Sequence, residues 1–325
     1  MKRKMEISEL IFKIVAYVFL IIFALLCVYP LLYILGSTFS SADALADRAV
    51  VLWPMVGDNG NYHLGFVVDS FKWALNYNMF WVSYANTLFV TFIGTIWCLV
   101  YSILGAYALS KKRLLGRHAF NFVLVFTMWF SAGIVPQYLN YQKTGEVLAG
   151  LAGYTGAGAM YNIDLKWLIV LAMGMNATNI ILLRNSFEGV PAEIEEAARI
   201  DGATELQILT KIYIPMSKAT IATVALFFGI SRWNGYFWAN QVLGTGANAQ
   251  SYSWPVQVLI RNIIESETDL IGVYNTDLTH TFGSAAEGTA VLYAMIILAV
   301  IPILIIYPFI SKYFAKGVNM GGVKE

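Results

Sequence analysis

The sequence predicts an all-α polytopic membrane protein with six transmembrane helices, and three observations lead there. The first is composition. Of 325 residues, 58% are hydrophobic and 13% charged, with a mean hydropathy of +0.63, whereas soluble domains carry about 25% charged residues. The second is a set of six apolar runs, near 11–36, 83–109, 119–140, 165–183, 217–241 and 286–311. Each suits the roughly 20 residues a helix needs to cross the hydrocarbon core. The third is charge placement. With both termini cytoplasmic, the inner segments hold fifteen Lys and Arg residues and the rest of the chain six, as the positive-inside rule expects.

Taken in order, the first run follows Met1-Lys2-Arg3-Lys4, which could open a signal peptide with Ala42-Asp43-Ala44 as its cleavage site. Its apolar stretch is too long for a signal core, so it reads as a retained helix. Residues 1–82 then comprise a cytoplasmic stub, the first helix and a long extracellular loop carrying Trp53-Pro54 and Asn59-Gly60-Asn61, read as an ordered loop rather than a domain. Residues 83–311 form the core transmembrane domain, and 312–325 a cytoplasmic tail. Gly145 to Gly158 reads as a flexible outside turn. In the second long outer segment, about 242–285, the apolar spacing of Trp254 to Ile264 suggests a short helix lying against the membrane surface.

Several chemistries are poorly supported. Cys27 and Cys98 sit inside apolar runs, and His63, His118 and His280 are scattered, so no metal-ligand spacing is present. A net charge of +1 gives no reason to invoke nucleic acid. Asp, Glu or His relays, which a proton-coupled carrier needs, are missing from the six runs, which are almost free of ionisable residues away from their ends; Arg232, late in the fifth, is the exception. There is no G-x-x-x-x-G-K-[ST] phosphate loop, so energy for transport would have to come through a partner.

The inner segment of about 186–216 carries the strongest signal. Pro191 suits a first helical position, with acidic residues following near the positive end of the dipole. Gly202 suits a left-handed terminator. Thr204 and Gln207 have capping-box spacing for a second helix, which should stop before Pro215. Small side chains at Ala197, Ala198 and Ala203 leave a low surface that another protein could approach; a solvated amphipathic loop is the plainer reading.

Glu196-Ala197-Ala198, Gly202 and Ile212-x-Ile214-Pro215 at this spacing resemble the EAA motif of binding-protein-dependent ABC importer permeases. Ile214 replaces the usual Leu, and Ala219 replaces a proline often found there, which should straighten the lead into the fifth run. Asn86-Thr87, the helix ending Gly105 to Ser110, Arg184 to Phe187, Trp233-Asn234 and the tail from Tyr307 to Lys324 are similar to the carbohydrate-uptake type. These matches cover most of residues 10–325.

The resemblance implies a type I ABC importer permease fold in a bacterial plasma membrane. It implies a second homologous permease as heterodimer partner, two ATPase subunits that bind the ATP and Mg, an extracellular solute-binding protein and a carbohydrate substrate. The chain itself would bind no cofactor and catalyse nothing. Glu196, Ala197, Ala198, Asp201, Gly202 and Ala203 would form the ATPase-docking surface, framed by Ile212 and Pro215. Trp233, Asn234, Tyr236, Trp238 and Asn240 are candidates for the substrate pathway, since aromatic faces and amides suit sugars. Tryptophans near the end of a span also serve as interface anchors, and both readings stay open. A non-sugar solute, or a secondary carrier, are the alternatives.

Overall fold

A computed structural model describes residues 7–130, 132–156, 158–243, 250–268 and 285–317. The basic stub before residue 7, parts of the second outer segment and the tail beyond 317 lie outside the described residues. The chain divides into two compact units, 1–80 with 260–301, and 81–259 with 302–325.

In the first unit, α1 (Ile7–Thr38) is a helix of 32 residues whose most apolar stretch has no residue buried within the chain. Its C-terminal end runs into α2 (Ala42–Ala46), then an antiparallel hairpin of β1 (Met55–Asp58) and β2 (Asn61–Leu64), then α3 (Asp69–Asn76). The hairpin corrects the all-α expectation. Asn59 and Gly60 both have positive φ, 48° and 84°, the backbone that a two-residue hairpin turn requires. Ser40 and Ser41 pin it: Met55 N donates to Ser40 Oγ at 3.0 Å, and Ser41 Oγ donates to the Gly57 carbonyl at 3.0 Å. The Phe39 ring packs against Phe66 and Phe71. Paired strands therefore order the segment that follows α1.

The second unit begins with α4 (Asn78–Ser110), a continuous helix of 33 residues. The next three apolar runs are all broken. α5 (Arg117–Trp129) and α6 (Ile134–Leu151) meet at 119° in place of the straight 119–140 helix. The expected turn at Gly145 is helical; Gly145 is buried where an added Cβ would stand 3.2 Å from Leu168 and Met160, so its small size lets α6 pack closely. α7 (Lys166–Ala172) and α8 (Ala177–Glu188) meet at 45°, and α12 (Lys218–Trp233) gives way to α13 (Tyr236–Leu243) at Asn234-Gly235. α14 (Val256–Thr268) comes next, with Val256, Val258 and Leu259 buried in protein rather than laid on a membrane surface. α15 (Ala285–Gly317) carries Pro302 and Pro308. Among the described residues, the helices long and apolar enough to cross a membrane therefore number three, or up to six if each bent pair is one span.

A broken span frees carbonyls that lipid cannot satisfy, and the fourth run shows how this chain meets the need. α7 ends at Met173-Gly174, where Gly174 has φ +87°, and Asn176 restarts the helix by accepting from Thr178 N at 2.8 Å. The freed carbonyls are bonded by side chains. Trp97 donates to Leu171 O, while Arg232, 7% exposed, donates to Ile169 O, Val170 O and Met173 O. Arg232 thus caps the negative end of α7. Its bed is two glycines: a Cβ at Gly94 or Gly174 would come within 3.0 Å or 2.7 Å of Arg232 Nε.

Candidate functional site

The segment singled out by motif folds into two short helices. α9 (Ala192–Ile200) takes Pro191 as its N-cap, one residue earlier than expected, with Glu193 and Glu195 in its first turn. It ends in a complete Schellman turn: Ala203 N donates to Ala198 O at 2.9 Å, Gly202 N to Arg199 O at 3.0 Å, and Gly202 has φ +78°. α10 (Glu205–Ile208) opens with the predicted capping box, Thr204 and Gln207 bonding reciprocally.

Two expectations fail beyond it. The helix does not stop before Pro215. It widens through Leu209–Tyr213, where Ile214 N reaches back five residues to Leu209 O, and continues as α11 (Ile214–Met216). A wide turn makes room for a proline ring that would clash in a regular helix. Nor does Ala219 straighten the way into the fifth run, for the helices on either side of Ser217 cross at 86°.

The expected docking residues divide by exposure. Glu196, Ala197, Asp201, Gly202 and Pro215 are exposed, whereas Ala198, Ala203 and Ile212 are half-buried against the cluster containing Leu183, Phe187, Ile208 and Phe228. Two residues that the motif did not single out complete the outer face: Ile200 is 87% exposed and Leu206 66%. Exposed isoleucine and leucine beside a glycine turn make an apolar knob with low relief. Hydrophobic spacing could have revealed them, because neither fits the buried stripe.

Polar contacts bind the loop to the end of α4. Lys111 Nζ meets Glu195 Oε2 at 2.7 Å, and Tyr213 and Arg199 donate to the same carboxylate. Glu205 accepts from the Tyr107 hydroxyl at 2.7 Å, from Arg199 at 3.0 Å and from Arg113. Arg117 bonds Glu188 alongside. Burial pushes the Glu195 carboxyl upward, but the Lys111 and Tyr213 donors outweigh it and leave it below the ordinary carboxylate value. A groove of about 920 Å³ runs beside these groups, bounded by Lys112, Glu193 and Glu196.

The pathway candidates do not form one cluster. Trp233 is buried, edge-on to Tyr84 at 6.2 Å, and its carbonyl accepts from Gln257 at 2.6 Å, so its setting is that of a core residue. Tyr236 packs, half-buried, against a second core around Leu168 and Leu243. Asn234 and Trp238 line a cavity of about 280 Å³ with Arg232, Gly174 and Gln257. Trp238 stands edge-on to Tyr141 at 5.1 Å. Asn240 keeps a buried amide oxygen with no hydrogen-bond donor. Asn86-Thr87 is structural: Asn86 donates to Tyr252 O at 2.7 Å, and Thr87 accepts from Val256 N at 2.8 Å.

Residues 73–320 match the family described as the inner membrane component of binding-protein-dependent transport systems. The chain belongs to that family. As a family member it is a multi-pass inner-membrane protein and a transport component of ABC importers. It is 33% identical to the polygalacturonan/rhamnogalacturonan transport system permease protein YtcP of Bacillus subtilis, over 97% of this chain and 98% of that one. Protein LplC of the same species is 31% identical over 91% of this chain and 89% of its own length. Among solved structures, a crystal structure of a bacterial ABC transporter involved in the import of the acidic polysaccharide alginate superposes with a TM-score of 0.77. The identity is 38%, covering 96% of this chain and all of that one. A transport component of an importer must offer a path for solute and a surface for its partners. The Schellman-turned knob and the cavity at Asn234 and Trp238 are this chain's candidates for them.

Proposed function

We propose that this chain is one of two homologous permease subunits in an ATP-driven oligosaccharide importer, crossing the membrane six times with both termini cytoplasmic. Residues 83–311 are the transport domain. Two ATPase subunits, which hold ATP and Mg, dock on the loop of about 186–216, and an extracellular binding protein delivers the cargo. The observation that carries this reading is the loop itself: an exposed apolar tip at Ile200 and Leu206, turned by Gly202, on a chain with no phosphate-binding loop of its own. Glu196, Ala197, Asp201 and Gly202 form the contact surface; Ala198, Ala203 and Ile212 seat it from below.

The cargo is a fragment of an acidic polysaccharide. Two of the relatives carry names that specify alginate or polygalacturonan, and the described residues lining the cavity at Asn234 and Trp238 include amides and no carboxylate. A lining without carboxylates does not repel an anionic cargo, and the Asn234 and Gln257 amides can donate to it.

The test is gentle solubilisation and capture of this chain, with its partners identified by mass spectrometry. Recovery of an ATPase, a second permease and a binding protein is expected, and isotherms of that binding protein should favour uronate trisaccharides over neutral ones. Recovery of the chain alone, even after crosslinking, would remove the importer reading. A binding protein that takes only neutral oligosaccharides would remove the acidic cargo and leave the importer standing.

A further inference from the structure

α9 is attached to the chain in a particular way. None of its residues is fully buried, so apolar packing alone does not hold it. Its inner face instead presents Glu195 to Lys111, and the two side chains are only 15% and 10% exposed. Lys111 lies just beyond α4 and is held on three sides: by the carboxylate at 2.7 Å, and by the Tyr107 and Tyr213 rings, 4.1 and 4.0 Å from their centroids. Tyr213, from the wide turn before α11, also donates to Glu195. Arg199 bonds Glu195 and passes on to Glu205, at the start of α10. The end of α4, both loop helices and the wide turn therefore meet at one enclosed ion pair.

A solvated loop face has no need of such an arrangement. Apolar contacts would hold the loop at lower desolvation cost, but they permit sliding, whereas a multiply bonded charge pair admits one geometry. We propose that the Lys111–Glu195 pair is a rigid joint that makes the coupling helix and the inner end of α4 move as one body. Tyr213 and Arg199 are its positioning residues. The joint rests on the reading that an ATPase drives this loop. A push on the exposed tip at Ile200 passes through Glu195 to Lys111 and into α4. That helix runs unbroken for 33 residues and reaches the cavity at Val90.

The experiment uses the assembled importer with its ATPase, in a Cys27→Ala background because Cys27 is exposed. Spin labels at Leu104→Cys on α4 and Ala192→Cys on α9 report the distance across the joint, without nucleotide and after trapping with ATP and vanadate. The expected result is one narrow distribution, unchanged by trapping. Lys111→Met should broaden it and let trapping shift it, while ATPase remains bound; Lys111→Arg should restore the narrow form in part. A parental distribution in an assembled Lys111→Met importer overturns the joint. If Lys111→Met does not assemble, Tyr213→Phe decides: it removes one hydroxyl and keeps the ring, and a parental distribution overturns the joint equally. A parent chain that recruits no ATPase overturns the functional reading, and the joint with it, before any label is read.

Discussion

Gly202 offers a way to separate a turn from a contact surface. Its φ of +78° belongs to the left-handed region, where an L side chain costs roughly 1–2 kcal/mol and Asn or Asp costs less. An added Cβ would meet no atom of this chain within 4 Å, so no internal clash adds to the strain. If all of that strain enters the docked loop, Gly202→Ala should weaken ATPase binding by about 5- to 30-fold. The ranking of larger side chains then depends on the partner. If the residue serves only the turn, Gly202→Asn should bind better than Gly202→Ala, because Asn tolerates the conformation. If the ATPase approaches the bare glycine closely, Asn and Asp should bind worse than Ala, because they are larger. Close approach is the expected outcome, given the exposed knob around the turn. Titrating purified ATPase against each variant in detergent gives the order. Gly202→Asn at parental affinity with Gly202→Ala weakened would refute close approach. Parental affinity in all three variants would refute docking at this loop.

Three further outcomes are expected. Arg232→Gln should lower thermal stability by about 3 kcal/mol or more, since carbonyls at the break in the fourth run lose their donor. Gly174→Ala should do comparable damage by combining positive φ with a clash at Arg232, and unchanged melting of either variant would refute the cap. Ile200→Asp should abolish ATPase capture while leaving the fold intact by circular dichroism, because Ile200 is almost fully exposed. Finally, the Glu195 carboxyl titrates below its ordinary value of 4.5. A depressed folded-state value means that its stabilisation is complete above the unfolded value and is lost as pH falls through the folded one. Hydrogen-exchange protection over residues 192–200, corrected for the intrinsic pH dependence of amide exchange, should therefore be constant from neutral pH down to the ordinary carboxylate range and fall below it. Glu195→Gln should exchange rapidly throughout.

Much of the loop was legible because its bonds are local. The Schellman turn at Gly202 and the capping box of Thr204 and Gln207 close over at most five residues, so residue type and spacing define them. The same holds for the apolar runs, whose length and composition reflect lipid rather than any neighbour. The hairpin at Asn59-Gly60 was equally local, and its turn dipeptide was available as a signal.

What sequence determined by itself was therefore the membrane class, the location of the apolar segments and the turn and cap of the loop at 192–208, all fixed by short-range bonding or by the solvent. Tertiary structure alone decided where the helices break and what the loop holds. The bend after Ala172 survives because Arg232, far along the chain, supplies donors to its carbonyls. Glu195 is an anchor because Lys111 lies against it, 84 residues away. Helical periodicity says nothing about such meetings, since one polar residue on a half-exposed face looks like any other until its partner is in place. Trp233 shows the same limit: its burial, edge-on to Tyr84, is set by a residue far away in sequence.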